Sequence, residues 1–318
     1  MKKFIIILSV FLVLLLSILT ILDYTISRGL QLTDSRKFQI WNDIFASKIH
    51  SDIVILGSSR ADRMFSTIIL DSIVGLDFYN LGIEGHTFDF QLIRYNTYRR
   101  FNIKPKYVIM NIDFHSTFGF SNGYEKEQFF PYIYDDSLIS EVKKASEITY
   151  WDRKIPFYRY IGYPEVIKLG FETFRGKLKS TDGGVIKGFK NYNDKWDGTR
   201  TQEIKMIFYK KNPAVIKMFN DYLTKCEKEG IIVILVSAPV YISATKKIVD
   251  LKSMNILFEN IAKQHNLQIL DYTNDSICGD TLNFGNSTHL NKKGTELFSI
   301  KLANDLKKLI KTTNKNNK

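Results

Sequence analysis

Cysteine and proline are scarce in this sequence. Only 2 cysteines, Cys226 and Cys278, occur among 318 residues, which excludes a disulfide framework and a four-cysteine zinc site and allows at most one disulfide. The 6 prolines and 18 glycines exclude fibrous and low-complexity chains, and the absence of a repeat of 20 to 50 residues argues against a solenoid or propeller. Hydrophobic residues at 44% and charged residues at 25% are ordinary for a globular protein. We therefore expect one large folded domain with an insertion.

Residues 30–318 contain neither a zinc-finger spacing nor a glycine-rich phosphate loop. Positive charge is abundant, since 45 Lys and Arg against 33 Asp and Glu give a formal net charge of +12. Such a charge suits an acidic partner, which could be nucleic acid, anionic lipid or an anionic glycan. The charge alone does not choose among the three.

A long apolar run occupies the N-terminus. Lys2 and Lys3 precede 19 uninterrupted residues, 4–22, which end at Asp23; as a helix they would measure about 28 Å, the thickness of a bilayer core. A signal peptide would have a shorter apolar region and a small-x-small cleavage site, and neither is present. We expect residues 1–29 to form a cytoplasmic stub and uncleaved single-pass anchor, with residues 30–318 outside the cytoplasm. That placement argues against nucleic acid as the partner.

The remaining chain alternates between two patterns. Short apolar runs ending in turn residues predict buried strands at 52–57, 78–83, 107–113, 231–238 and 267–272. Longer periodic stretches predict helices at 88–101, 214–229, 246–265 and 293–311. This alternation predicts an α/β fold with a parallel sheet sandwiched by helices, in which ligands bind at the carboxyl ends of the strands.

Residues 114–200 interrupt this alternation and are predicted to be an insertion after the third strand, placed where it could wall an active site. The insertion is rich in aromatic residues, which we expect to form a small core of its own; the alternative is a surface on which sugars stack. The rings concerned are Phe129, Phe130, Tyr132, Tyr134, Tyr150, Trp151, Phe157, Tyr158 and Tyr160.

Candidate catalytic groups lie at the ends of the predicted strands. Ser58 or Ser59 follows the first strand on a tight turn, beside the start of the next helix, where backbone amides favour a developing negative charge. A serine needs a base to act as a nucleophile. Among 5 histidines, His289 follows the last strand in a polar loop that opens into the final helix, so its ring could reach the same edge of the sheet.

Four short motifs in this order resemble those of the SGNH (GDSL-type) hydrolase and acyltransferase superfamily. Ile55-Leu-Gly-Ser-Ser-Arg60 is similar to the first block, whose nucleophile would be Ser59, and Asn80-Leu-Gly-Ile-Glu-Gly-His-Thr87 is similar to the second, in which Gly85 lends an amide to the oxyanion hole. Residues 108–114 and 286–291 occupy the third and fifth blocks. The resemblance covers about 50–113 and 205–310 and implies a flavodoxin-like parallel sheet.

Two positions depart from the family pattern. The third block normally supplies an asparagine to the oxyanion hole, and the candidates here are Asn111 and Asp113. Because an ionised Asp113 would repel an oxyanion, either Asn111 takes the role or the amides of Ser59 and Gly85 suffice. Asn286 stands where the family has aspartate. It can orient the imidazole but adds no negative charge to stabilise the imidazolium. The alternative is that Asp280 or Asp113 supplies the acid in its place.

The resemblance implies an esterase or O-acyltransferase that uses Ser59, His289 and Asn286 and needs no cofactor. Membrane-anchored members with a Gly-Ser-Ser-Arg-like block resemble proteins that accompany multi-spanning membrane O-acyltransferases in modifying envelope polysaccharides. The substrate would then be an acyl ester, first of all acetyl, of an exported glycan, and Arg60 could contact an anionic group of that glycan or belong to a structural ion pair.

Two other classes stay open. A non-catalytic glycan-binding or assembly subunit would keep the fold with weakened third and fifth blocks. A metal site could use His86, His115, His289 and Asp113, although their spacing matches no local ligand motif.

Overall fold

The computed structural model describes residues 1–113, 117–119, 125–143, 146–178, 180, 184–196, 211–246, 248 and 250–316. The chain divides into two compact units. The first unit comprises Met1–Ala46 and Asn122–Val185, and the second comprises Ser47–Ser121 and Ile186–Lys318. The predicted insertion is therefore grouped with the N-terminal residues.

The described helices follow in chain order: α1 (Lys2–Leu32), α2 (Arg36–Phe45), α3 (Ser59–Met64), α4 (Thr67–Val74), α5 (Phe88–Phe101), α6 (Asp136–Val142), α7 (Tyr150–Lys154), α8 (Pro164–Phe174), α9 (Pro213–Lys228), α10 (Ile242–Thr245), α11 (Leu251–Gln264) and α12 (Lys292–Asn316). Short 3-10 turns span Lys126–Tyr132, Tyr158–Tyr160, Ser276–Gly279 and Thr281–Asn283. The strands are β1 (Ile53–Leu56), β2 (Phe78–Asn80), β3 (Tyr107–Asn111), β4 (Ile232–Ser237), β5 (Gln268–Asp271), β6 (Phe284–Asn286) and β7 (His289–Leu290).

The second unit is built on a five-stranded sheet in the order β2-β1-β3-β4-β5, with every neighbouring pair parallel. This is the flavodoxin-like order, and it confirms the predicted fold class. β1 and β3 are buried along their whole length, as expected for Val- and Ile-rich strands covered on both faces. Ile55 of β1 pairs with Asn80 of β2 and with Ile109 of β3, so the carboxyl ends of these strands meet at one edge.

Most predicted elements of this unit lie within a few residues of their observed bounds, and two differ. The helix predicted over 246–265 begins only at Leu251, after the N-cap residue Asp250. The loop expected to carry His289 instead contains the antiparallel hairpin of β6 and β7. The side chains of Phe284 and Leu290 anchor this hairpin, since both are buried in the core beneath the sheet.

The first unit is organised around α1, whose N-terminal part is long and apolar enough to cross a membrane and is exposed along the apolar stretch. The last turns of α1 are different. Ile26 and Leu30 are buried in a cluster with Phe38, Phe130 and Tyr160. The aromatic residues of 114–200 therefore do not form a core by themselves, because the N-terminal helices contribute apolar side chains to the same cluster.

A close approach of α1 and α8 fixes this cluster. A Cβ atom on Gly29 would overlap the carbonyl oxygen of Gly170, and a Cβ on Gly170 would lie 2.6 Å from the carbonyl oxygen of Ile26. Only glycine permits two helix backbones to approach this closely. The pair of glycines thus specifies where α8 packs along α1.

Candidate active site

The turn after β1 presents Ser59 as the first residue of α3. Gly57, two residues earlier, has φ +150°, and a Cβ there would lie 2.6 Å from the Cβ of Ala61 and 2.9 Å from the Cβ of Asn111. Only a residue without a side chain allows the strand to turn this tightly into the helix. As the first helical residue, Ser59 has an amide with no acceptor four residues earlier in the helix.

His289 contacts Ser59 directly. Its Nε2 lies 2.8 Å from Ser59 Oγ, and its Nδ1 lies 3.0 Å from Asn286 Oδ1. The backbone amides of Thr288 and His289 both donate to Asn286 Oδ1, each at 3.0 Å. Because an amide N–H only donates, these two bonds identify that side-chain atom as the oxygen, which accepts from Nδ1–H. The ring therefore carries its proton on Nδ1 and offers the lone pair of Nε2 to the serine hydroxyl.

The β6–β7 hairpin holds this histidine in place. Asn286 and His289 pair across the hairpin, and the amide of Tyr241, just beyond β4, donates to the carbonyl oxygen of Ser287 at 3.1 Å. Local turn chemistry thus aligns the side chains of Asn286 and His289, while the hairpin's contact with the chain after β4 fixes it to the carboxyl edge of the sheet.

The surroundings of His289 favour the neutral imidazole. Burial, and after it the positive charges of Arg63 and Arg60, lower the pKa of His289 to about 4 against the opposing effect of the carboxylates of Glu84 and Asp113. A histidine with such a pKa is unprotonated at neutral pH and able to accept a proton.

The loop after β2, which carries Gly85, is tied to α3. The side chain of Asn80 donates to the carbonyl oxygen of Ala61 at 2.8 Å and accepts from the amide of Gly82 at 2.9 Å. Farther along the loop, Glu84 forms an ion pair with Arg63 of α3. These contacts keep the segment around Gly85 beside α3.

Asn111 and Asp113, the other two oxyanion-hole candidates, occupy the end of β3 and the residues just after it. Asp113 accepts a hydrogen bond from Ser58 Oγ at 3.0 Å, and its amide donates to Thr117 Oγ1 at 2.9 Å. Asp113 therefore lies beside Ser58, the residue that precedes Ser59. Asn111 is buried behind Gly57, and its side-chain amide makes no hydrogen bond within the described part of the chain.

Arg60 and Asp280 have structural contacts. The guanidinium of Arg60 is buried and donates to the carbonyl oxygens of Ala238 and of Pro239, the latter at 3.2 Å. Asp280 accepts from the amide of Leu282 at 2.9 Å and lies 3.7 Å from Lys293 Nζ. We therefore assign Arg60 to the packing of the chain after β4 rather than to the suggested contact with a glycan. Beside His289 Nδ1 lie Asn286 Oδ1 at 3.0 Å and Thr288 Oγ1 at 3.1 Å, whereas Asp280 is engaged elsewhere.

The remaining sequence candidates are placed as follows. His86 is buried with its ring 4.4 Å from that of Phe90, and His115 falls outside the described residues. Within the described residues, no group of three or more His, Cys, Asp and Glu is placed to hold a metal ion. Cys226 and Cys278 are both free and buried.

Two charged residues of the site were not identified in the sequence, namely Arg63 and Glu84. Arg63 lies four residues after Ser59 on the same helix, so the helical period places both on one face. Glu84 directly precedes Gly85. Each could have been found from its spacing to a motif residue, although their pairing could not.

Comparison with known proteins gives fold-level likenesses. No family model matches the chain, and no curated protein matches it. A structure described as a lipolytic protein of the G-D-S-L family, from Desulfitobacterium hafniense, is 13% identical with a TM-score of 0.39, over 79% of this chain and 97% of that one. An acetyl xylan esterase is 10% identical with a TM-score of 0.37, over 79% and 97%. A GDSL-like lipase from Bacteroides thetaiotaomicron is 10% identical with a TM-score of 0.35, over 80% and 88%.

Proposed function

We propose that this protein is a membrane-anchored serine esterase or O-acyltransferase that acts on acyl esters, first of all acetyl esters, of an exported or cell-envelope polysaccharide. The observation that carries the proposal is the contact of 2.8 Å between Ser59 Oγ and His289 Nε2. It joins the serine on the turn after β1 to a histidine whose other nitrogen is held by Asn286. A nucleophile, a base and a group that orients the base are the minimum set for acyl transfer through a covalent intermediate.

The reaction proceeds in two displacements. His289 Nε2 takes the proton of Ser59, whose Oγ attacks the ester carbonyl carbon and forms a tetrahedral oxyanion. We assign the amides of Ser59 and Gly85 as donors to this oxyanion, because the first has no helical acceptor and the second belongs to the loop tied to α3. The imidazolium then gives its proton to the departing alcohol oxygen, which leaves an acyl ester on Ser59.

The second displacement decides between the two activities. His289 removes a proton from the acceptor, whose oxygen attacks the acyl-serine carbonyl. The bond between the acyl carbon and Ser59 Oγ then breaks, and the imidazolium returns its proton to Oγ. Water as acceptor makes the protein an esterase, and a glycan hydroxyl makes it an O-acyltransferase. In the second case a multi-spanning membrane O-acyltransferase is the proposed partner that supplies the acyl group across the membrane.

The proposed location is the cell membrane, with α1 as a retained anchor and the second unit outside the cytoplasm. The support comes from the C-terminal turns of α1. Asp23 receives hydrogen bonds from Arg159 and from the amide of Phe157, both at 2.7 Å, and the Asp23–Arg159 ion pair is buried. Removing one partner of a buried ion pair is strongly destabilising. Cleavage on the C-terminal side of Asp23 would remove this residue and leave the buried Arg159 without its partner. The ion pair therefore supports an α1 that stays attached to the rest of the chain.

The proposed activity is tested by ester turnover of the purified full chain in detergent, with p-nitrophenyl acetate and with an O-acetylated polysaccharide as substrates. Ser59→Ala is compared with Ser58→Ala, which removes the neighbouring hydroxyl that contacts Asp113 instead of His289. We expect Ser59→Ala to abolish acetate release and Ser58→Ala to retain it. Turnover that survives in Ser59→Ala would contradict the proposal.

A non-catalytic glycan-binding subunit is the second candidate. It is favoured by one observation, the carboxylate of Asp113 3.0 Å from Ser58 Oγ at the place where the resembling family has an oxyanion donor. This candidate gives saturable polysaccharide binding that Ser59→Ala leaves unchanged, together with no acetate release from any substrate.

A further inference from the structure

The first unit carries an exposed aromatic surface at the level where the apolar part of α1 ends. The apolar run finishes at Leu22, and the next residue is Asp23, whose carboxylate binds the amide of Phe157 and the guanidinium of Arg159. Tyr158 lies between these two residues in the chain. It is therefore held at the same height along α1 as the end of the apolar run.

Three more exposed side chains share this position. Tyr24 follows Asp23 on α1 and is 65% exposed. The ring of Tyr134 lies 5.5 Å from the guanidinium carbon of Arg159, and Ile161 closes the turn that begins at Tyr158. We call Tyr24, Tyr134, Tyr158 and Ile161 the interfacial surface.

This surface is fixed to α1 by a polar network. Besides Asp23, Arg159 donates to Ser27 Oγ at 2.9 Å, and Ser27 Oγ lies 2.7 Å from the hydroxyl of Tyr160. Asp23, Ser27 and the Arg159 side chain are removed from solvent or half-buried. The network joins the segment 157–161 to the side of α1, which sets the height of the exposed residues relative to the apolar run.

We propose that the interfacial surface lies in the headgroup region of the bilayer, so that the first unit rests on the membrane that α1 crosses. Tyrosine favours this region because its ring is apolar and its hydroxyl is polar. An exposed isoleucine gains free energy by leaving water for the acyl-chain boundary. The occupant is a lipid surface, because the surface is continuous with the exposed apolar part of α1.

This inference rests on the proposed anchor, and the test separates the two. Single cysteines at residues 12, 158 and 161 are introduced into a full chain in which the buried Cys226 and Cys278 are replaced by alanine, and each is spin-labelled. The variants are Leu12→Cys in the apolar run, Tyr158→Cys and Ile161→Cys. Leu282→Cys, at a side chain that is 67% exposed in the second unit, is the control. Collision rates with oxygen and with a water-soluble nickel complex are measured in vesicles of phosphatidylethanolamine and phosphatidylglycerol.

We expect the Leu12 label to collide with oxygen and not with nickel. The labels at 158 and 161 should collide with nickel several-fold less often than the label at 282, and should regain access when the vesicles are replaced by a short-chain detergent. Nickel access at 158 and 161 equal to that at 282, with residue 12 protected, would overturn the interfacial surface and leave the anchor intact. Nickel access at residue 12 would overturn the anchor and, with it, this inference.

Discussion

Asn286 Oδ1 and His289 Nδ1 lie 3.0 Å apart, joined by a hydrogen bond that sets the tautomer of the imidazole without placing a charge beside it. An aspartate at this position would preserve the bond and add a negative charge that stabilises the imidazolium. The amide therefore supplies orientation only.

We expect Asn286→Asp to increase the esterase rate. The new carboxylate raises the pKa of His289, and a stabilisation of the imidazolium by about 1.4 kcal/mol corresponds to a roughly tenfold higher kcat/KM. Asn286→Ala, which removes the acceptor, should lower the rate. The measurement is kcat/KM for p-nitrophenyl acetate at neutral pH. A kcat/KM for Asn286→Asp below that of the wild type would contradict the view that the missing negative charge at residue 286 limits proton transfer to His289.

The pH dependence of the activity follows from the low pKa of His289. Only the neutral ring accepts the proton of Ser59, so activity is lost as the pH falls through the pKa, which burial and the nearby arginines place at about 4. We expect kcat/KM to stay level from neutral pH down to about 5 and to halve near 4. A profile that halves near the ordinary histidine pKa would contradict the burial of this ring.

Arg63→Gln tests the electrostatic part of that pKa. Removing the positive charge of Arg63, the second cause of the lowered pKa after burial, should move the acid limb of the profile to higher pH. Arg99→Gln is the matched control, since Arg99 forms an ion pair with Glu229 at 3.0 Å but is not among the groups that shift His289. Equal shifts in both variants would rule out a local effect.

His86 makes the stability of the protein depend on pH. Burial, and after it the charge of Arg94, lowers the pKa of His86 to about 4. Between pH 6.5 and 4 the unfolded chain binds a proton that the folded chain does not, so stability falls as the pH is lowered, by up to about 3 kcal/mol for this residue. His86→Leu should flatten the dependence of the melting temperature on pH over this window. An unchanged slope would contradict the assignment.

Asn111→Leu separates stability from activity. The buried amide of Asn111 has no hydrogen bond within the described residues, so an apolar side chain of similar size should leave stability unchanged or raise it by about 1 kcal/mol. Should Asn111 support the oxyanion, the same variant loses about a hundredfold or more in kcat. We expect wild-type kcat, because our account assigns the oxyanion to the amides of Ser59 and Gly85; a large loss with unchanged stability would reassign that role to Asn111.

Local patterns in the sequence were sufficient for the sheet and for placing His289 near the turn that carries Ser58 and Ser59. β4 and α5 were predicted almost residue by residue: β4 is a short run rich in β-branched residues that ends in turn residues, and α5 is a stretch too long for a typical strand. Ser59 and His289 were predicted to meet because both follow strands whose carboxyl ends share one edge. Family resemblance identified Ser59 rather than Ser58, which the residue pattern alone left open.

Long-range partners could not be predicted in the same way. Asp23 and Arg159 are 136 residues apart, and neither position shows a pattern that would reveal the other. The grouping of 122–185 with the N-terminal helices depends on this pair and on Gly29 and Gly170, whose role is visible only in the crossing of two helices. For Arg60 the sequence left a glycan contact and a structural ion pair open, whereas the observed hydrogen bonds of its guanidinium go to backbone carbonyl oxygens of the distant chain after β4.

The most direct test of the central claim is the site of reaction with a fluorophosphonate. The full chain is treated with the reagent at neutral pH, digested, and mapped by mass spectrometry, in parallel with Ser58→Ala and His289→Ala. Our account expects one phosphonylated serine, Ser59, in the wild type and in Ser58→Ala, and no labelling in His289→Ala. Labelling at another serine, or no labelling of a folded wild-type chain that also fails to hydrolyse esters, would contradict it.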